Sequence, residues 1–195
     1  MINLAARNVL GAMALASYPL SVATTPEWQF VERITIGSAV TTQDFTTVLD
    51  GNSDLGYRIV ASIIAGSSTY PAYSLRVNGA TIACNRRYIF ASSTTVATAA
   101  TDSSIFILGL QPTSGTAKEG GFSAILNYSR TGYERLWRFH GTKANAVVDW
   151  QEEFTGTLRM TTPNTSTNIT SLGVHCNAAN GIGVGSILTL YKKGG

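Results

Sequence analysis

The sequence predicts an all-β fold: an antiparallel β-sandwich of jelly-roll-like form, preceded by an N-terminal arm. Three observations carry this expectation. Past Pro26, apolar and polar residues alternate with a period of two through many short segments. Turn-forming residues separate those segments at intervals of about eight to twelve residues. Charged residues make up 13% of the 195 positions, about half the usual quarter, and β-branched Thr, Val and Ile are abundant in their place. A hydrophobic content of 44% is enough for one core. The expected division is therefore an arm over residues 1–28 and one sandwich domain over 29–195, without internal repeat or linker.

The arm is apolar. A run from Val9 to Ala16 follows a single Arg7, but it is too short and too interrupted by Gly11 and Pro19 to span a membrane. Leu4, Arg7, Asn8, Gly11 and Leu15 form no clean amphipathic face. Ser21-Val22-Ala23 resembles a signal-peptidase site, so a secretory leader is the alternative reading. A retained apolar arm needs burial, and Leu4, Val9, Leu10, Met13 and Leu15 are the residues expected to contact another subunit.

Residues 28–37 form the first expected strand, with Trp28, Phe30, Ile34 and Ile36 on one side and Val31, Arg33 and Thr35 on the other. A second covers 44–49 and closes at Asp50-Gly51. The third, 57–64, alternates Tyr57, Ile59, Ala61 and Ile63 with Arg58, Val60, Ser62 and Ile64; apolar groups on both faces give it a central place. Residues 72–77 follow, ending at the hairpin turn Asn78-Gly79, and 81–90 is a fifth. The Ser, Thr and Ala run over 91–101 lacks a period and reads as a long contact-forming loop. Further strands are expected at 104–110, 121–130, 134–140, 146–154 and 155–161, with turns at Pro112-Thr-Ser-Gly115, Thr131-Gly132 and Pro163-Asn164. The closing hairpin is the clearest element. Leu172, Val174 and Cys176 share one face, Asn180-Gly181 turns the chain, and Leu188 and Leu190 oppose Ile187, Thr189 and Tyr191.

Little in the chain points to catalysis. His140 and His175 are its two histidines, and no G-x-S-x-G elbow selects a nucleophile for them. Cys84 and Cys176 lack metal-site spacing and read as reduced, buried thiols, with a single bridge between their strands as the alternative. No metal or other cofactor is expected. Glu152 and Glu153 are adjacent, so on a strand they face opposite sides, whereas Asp149 with Glu153, or Asp50 with Asp54, can share a face or a turn. Turn capping is the reading of these carboxylates. Gly181-Ile-Gly-Val-Gly185 has no helix behind it and reads as a turn, not a phosphate loop. The net charge is +3, and the one basic cluster is Arg130, Arg135, Arg138 and Lys143, interleaved with Tyr128, Tyr133, Trp137 and Phe139. Without a longer basic stripe this reads as a solvated or interface-facing strand pair, with no nucleic acid and no membrane as partner.

Two segments carry a family resemblance. Residues 169–192 follow I-T-S-L-x-V-x-x-x-x-x-N-G-I-G-x-G-S-x-L-x-L-Y-K, which resembles the closing hairpin of small β-rich virion proteins of tailed bacteriophages. Leu49-Asp-Gly-Asn-Ser-Asp-Leu-Gly-Tyr57, with the alternation that follows it and Tyr73-Ser-Leu-Arg-Val-Asn78, resembles the first hairpin of that group. The resemblance implies a non-enzymatic structural protein located in the virion. Such a protein would contact other virion proteins and form a homotrimer, with capsid decoration favoured. Arg135 and Arg138 are then candidates for the oligomer interface, since guanidinium groups suit interface pairing. A tail or fibre module that binds a receptor or a host surface glycan is the alternative, with Tyr133, Trp137 and Trp150 as its aromatic candidates.

Overall fold

The computed structural model describes residues 27–66, 71–92, 95–102, 106–109, 119–145, 150–162 and 166–194. Among them are thirteen strands and no helix: β1 (Trp28–Thr35), β2 (Thr42–Asp44), β3 (Gly56–Ile64), β4 (Ala72–Val77), β5 (Ala80–Thr81), β6 (Ala83–Ser92), β7 (Thr95–Asp102), β8 (Phe106–Gly109), β9 (Glu119–Leu126), β10 (Leu136–Asn145), β11 (Trp150–Thr162), β12 (Leu172–Cys176) and β13 (Ile187–Lys193). They form two antiparallel sheets. The larger has the order β1-β13-β3-β9-β10-β11-β6-β7, and the smaller the order β2-β12-β4-β5, with β8 also paired to β4.

Period-two alternation explains the core. On β3, Tyr57, Ile59 and Ile63 are fully buried, and they share a core with Leu126, Trp137, Leu158, Leu188 and Leu190 of neighbouring strands. The smaller sheet contributes Tyr73, Leu75, Val77, Leu172, Val174 and Cys176 to the same cluster. The burial of these side chains is the main drive to fold. The Asn78-Gly79 turn has φ of 53° and 75°, the left-handed pair that a two-residue hairpin turn requires.

Several elements depart from the sequence expectation, each for a local reason. A bulge between Phe30 and Glu32 reverses the alternation of β1. Phe30 is consequently 62% exposed and edge-on to Tyr191, while Val31 and Ile34 rest on the core. The strand expected at 44–49 stops at Asp44. Phe45 and Leu49 still donate to the carbonyls of Leu172 and Thr170, but the amides of Thr46 and Thr47 turn instead to the Glu32 carboxylate, each at 2.9 Å. Residues 81–90 divide at Ile82, a fully buried corner where the chain leaves the smaller sheet for the larger. Of the expected loop at 91–101, residues 91–92 and 95–101 are strand in the β6–β7 pair, with Tyr88 opposite Ala99 and Ser92 opposite Thr95. Its Thr and Val residues are good strand formers even without an apolar period. Residues 150–154 and 155–161, expected in two separate strands, lie in one, β11, with β10 on one side and β6 on the other, while residues 146–149 lie outside the described residues. The expected turns at 112–115 and 163–164 and all of residues 1–26 lie outside the described residues.

Gly173 of β12 is where the smaller sheet is tightest. A Cβ there would lie 2.0 Å from Asp44 Oδ1, 2.7 Å from the Gln43 carbonyl and 2.8 Å from Asp44 Cα. Two of these atoms are backbone, so β2 itself would have to move. Gly173→Ala is expected to destabilise the fold by about 1–3 kcal/mol, read as a lower urea midpoint at constant m-value. An unchanged midpoint would show that β2 yields freely.

Candidate functional site

One end of the sandwich gathers three connections: 45–55 between β2 and β3, 127–135 between β9 and β10, and 166–171 before β12. A buried polar knot ties them together. Ser129 is fully buried; its hydroxyl lies 2.6 Å from the Asp54 carbonyl and 3.0 Å from that of Gly51. Arg135 is 1% exposed and donates through Nη2 to the carbonyls of Ser129 and Thr167. The Asp54 carboxylate receives the Tyr57 hydroxyl at 2.8 Å and the Lys192 ammonium at 3.1 Å. Asp50 caps its turn, accepting from the Asn52 amide, the Ser53 hydroxyl and Asn168 Nδ2. Asn78 Nδ2 donates to the Asn168 carbonyl, and its Oδ1 accepts from the Thr170 amide. Burial and then the Asp54 hydrogen bond push the Tyr57 phenol above its ordinary value. Burial also draws the Arg135 guanidinium below its own.

On this frame stand two exposed aromatic rings. Tyr128 is 63% and Tyr133 58% exposed. Their centroids are 6.2 Å apart with 20° between the planes, so the rings are offset neighbours and not a face-to-face sandwich. Between them Gly132 has a φ of 91°, which returns the loop toward β10.

The aromatic and arginine candidates thus separate. Tyr133 is exposed at this end, but Trp137 is fully buried, its Nε1 3.1 Å from Met160 Sδ, and it offers no binding face. Trp150 begins β11 opposite Asn145, and its side chain lies outside the described residues. Arg135 is interior and Arg138 exposed, so they do not share one interface. The arm candidates Leu4, Val9, Leu10, Met13 and Leu15 lie outside the described residues. In the sequence Tyr128 stands out only as one of the aromatics interleaved with the basic cluster. The two tyrosines flanking Thr131-Gly132 were the signal that could have paired them.

The histidines lie apart. His140 is on the outer face of the larger sheet, its Nε2 3.6 Å from Glu153 Oε1. His175 Nδ1 is 3.0 Å from Thr42 Oγ1, close to the Arg76–Asp44 ion pair at 2.9 Å. Cys176 is a free, buried thiol whose ionisation burial opposes; the Cys84 side chain lies outside the described residues. Among the described residues no group of three or more His, Cys, Asp or Glu side chains converges to hold a metal ion, and no helix is long and apolar enough to cross a membrane. Comparison with known protein families, curated proteins and solved structures finds no match.

Two outcomes follow from this geometry. Ser129→Ala removes the hydroxyl between two carbonyls and is expected to cost about 1–3 kcal/mol in urea unfolding. A loss below about 0.5 kcal/mol would place it with ordinary surface changes. The second concerns pH. Burial, and then the Arg76 charge, hold the His175 imidazole below its ordinary 6.5. The unfolded chain therefore binds this proton more readily than the folded one. The His175 contribution is complete above about pH 6.5 and falls away as pH drops from there through the lower folded value. His175→Gln should flatten the stability profile in that window. An unaltered slope would assign the pH dependence to other groups.

Proposed function

We propose that this chain is a non-enzymatic structural protein of a tailed-phage virion. It would dock on the particle surface through its N-terminal arm as a jelly-roll-like, homotrimeric sandwich, with capsid decoration as its favoured position. The observation that best supports this reading is the outer face of the larger sheet. One register row crosses it through Tyr191, Arg58, Ile125, Arg138 and Thr157, and the next through Arg33, Thr189, Val60, Ser123, His140 and Thr155. Phe30 extends the first row edge-on to Tyr191. Aromatic residues and Arg with few carboxylates are the composition that protein interfaces favour. An Arg-bearing face of this kind suits an acidic surface on another virion protein.

Strand β7 closes the larger sheet at the edge opposite β1. An edge strand needs covering, and contact around a three-fold axis would supply it. The chain alone is expected to have the mass of a trimer by light scattering. Reversing charge with Arg58→Glu and Arg138→Glu together should lower incorporation into particles at least about tenfold while the fold is retained. A monomer, or undiminished incorporation, would overturn the proposal.

A further inference from the structure

We propose that Tyr128 and Tyr133 form a ledge that binds the pyranose rings of an oligosaccharide. The inference rests on the loop at the knotted end and is independent of the virion reading. Between and beside the two rings, Ser129 is wholly buried and Arg135 nearly so. The loop therefore reaches the core where it needs to, and it still leaves both tyrosines more than half exposed. The two rings stack near-parallel at 6.2 Å and 20°, and each keeps more than half of its surface open.

The ledge is rigid before any ligand arrives. The Ser129 hydroxyl, the Thr131 amide on Asn52 Oδ1 at 3.0 Å, and Arg135 on the Ser129 carbonyl fix the loop backbone. Little ordering entropy is then lost on binding. Tyrosines set among Asn, Ser, Thr and Gly are also the composition of recognition loops that combine rigid rings with adaptable hydrogen bonding.

The surroundings select the ligand class. Asn52, Ser53, Thr131 and Arg130 are exposed in the connections that meet here, and they offer amide, hydroxyl and guanidinium groups. A sugar ring presents C–H groups on its face and hydroxyls around its edge, which matches exposed aromatic rings beside neutral polar groups. Two rings are far too small for a stable protein interface, which takes about 800 Å² from each partner. A single neighbouring arginine is also a poor match to a phosphate backbone.

The test uses the full chain with ring-labelled tyrosine, titrated in NMR with hexasaccharides of glucose, galactose and N-acetylglucosamine. At least one should shift both ring signals with millimolar or tighter affinity. Tyr128→Ala with Tyr133→Ala should weaken that binding about tenfold. Tyr128→Phe with Tyr133→Phe should keep it within about threefold, because stacking needs the ring and not its hydroxyl. Exposed positions leave the thermal midpoint of both variants near that of the parent. Silence of both rings toward every sugar at about 10 mM, or equal binding by the alanine variant, would overturn the proposal. So would equal loss in the phenylalanine variant, which would assign the effect to the hydroxyls.

Discussion

The buried guanidinium of Arg135 constrains the whole knotted end of the sandwich. Taking a guanidinium out of water costs several kcal/mol unless its donors are satisfied. The carbonyls of Ser129 and Thr167 must therefore be in place whenever the fold is formed. Ser129 in turn fixes the carbonyls of Gly51 and Asp54, and Asp54 holds Tyr57 on β3 and Lys192 on β13. Connections far apart in sequence are thus set by one chain of polar contacts. Its members are polar groups that reinforce one another when buried and satisfied together, which favours one geometry for this end.

The smaller sheet uses a different device. Gly173 has no side chain, so Asp44 can lie over β12 and reach Arg76 on β4. An ion pair then spans three adjacent strands at a place where a Cβ would have separated them. His175, one residue pair further along the same face, remains neutral more readily because burial and then the Arg76 charge both disfavour its cation.

Much of the fold was legible in the sequence wherever neighbouring residues decided it. Strand β4 occupies the expected span and β3 has the expected alternation. The expected closing hairpin is not one: the chain turns at Asn180-Gly181, yet β12 pairs with β2 and β4 in the smaller sheet and β13 with β1 and β3 in the larger. The failures came from residues distant in sequence. Glu32 takes the amides that would have continued β2, and the chain changes sheets at Ile82, whose side chain is fully buried among residues distant in sequence. Part of the candidate site was equally legible. Tyr133 stood out as an aromatic, but its pairing with Tyr128 depends on a φ of 91° at Gly132 and on Ser129 being drawn inward. Trp137 and Arg135 were misplaced because strand parity, counted from Phe139, was not applied to them.

Among the described residues β1 pairs only with β13, Trp28 opposite Lys193, and β3 also depends on β13 for one of its two neighbours. During synthesis, β1 and one edge of β3 therefore wait for nearly all of the described chain to be made. Contacts of such long range make folding slow and late. Until β13 arrives, β3 presents its ladder to any other unfinished chain nearby, a hazard that grows with the rate of translation and the number of copies made together.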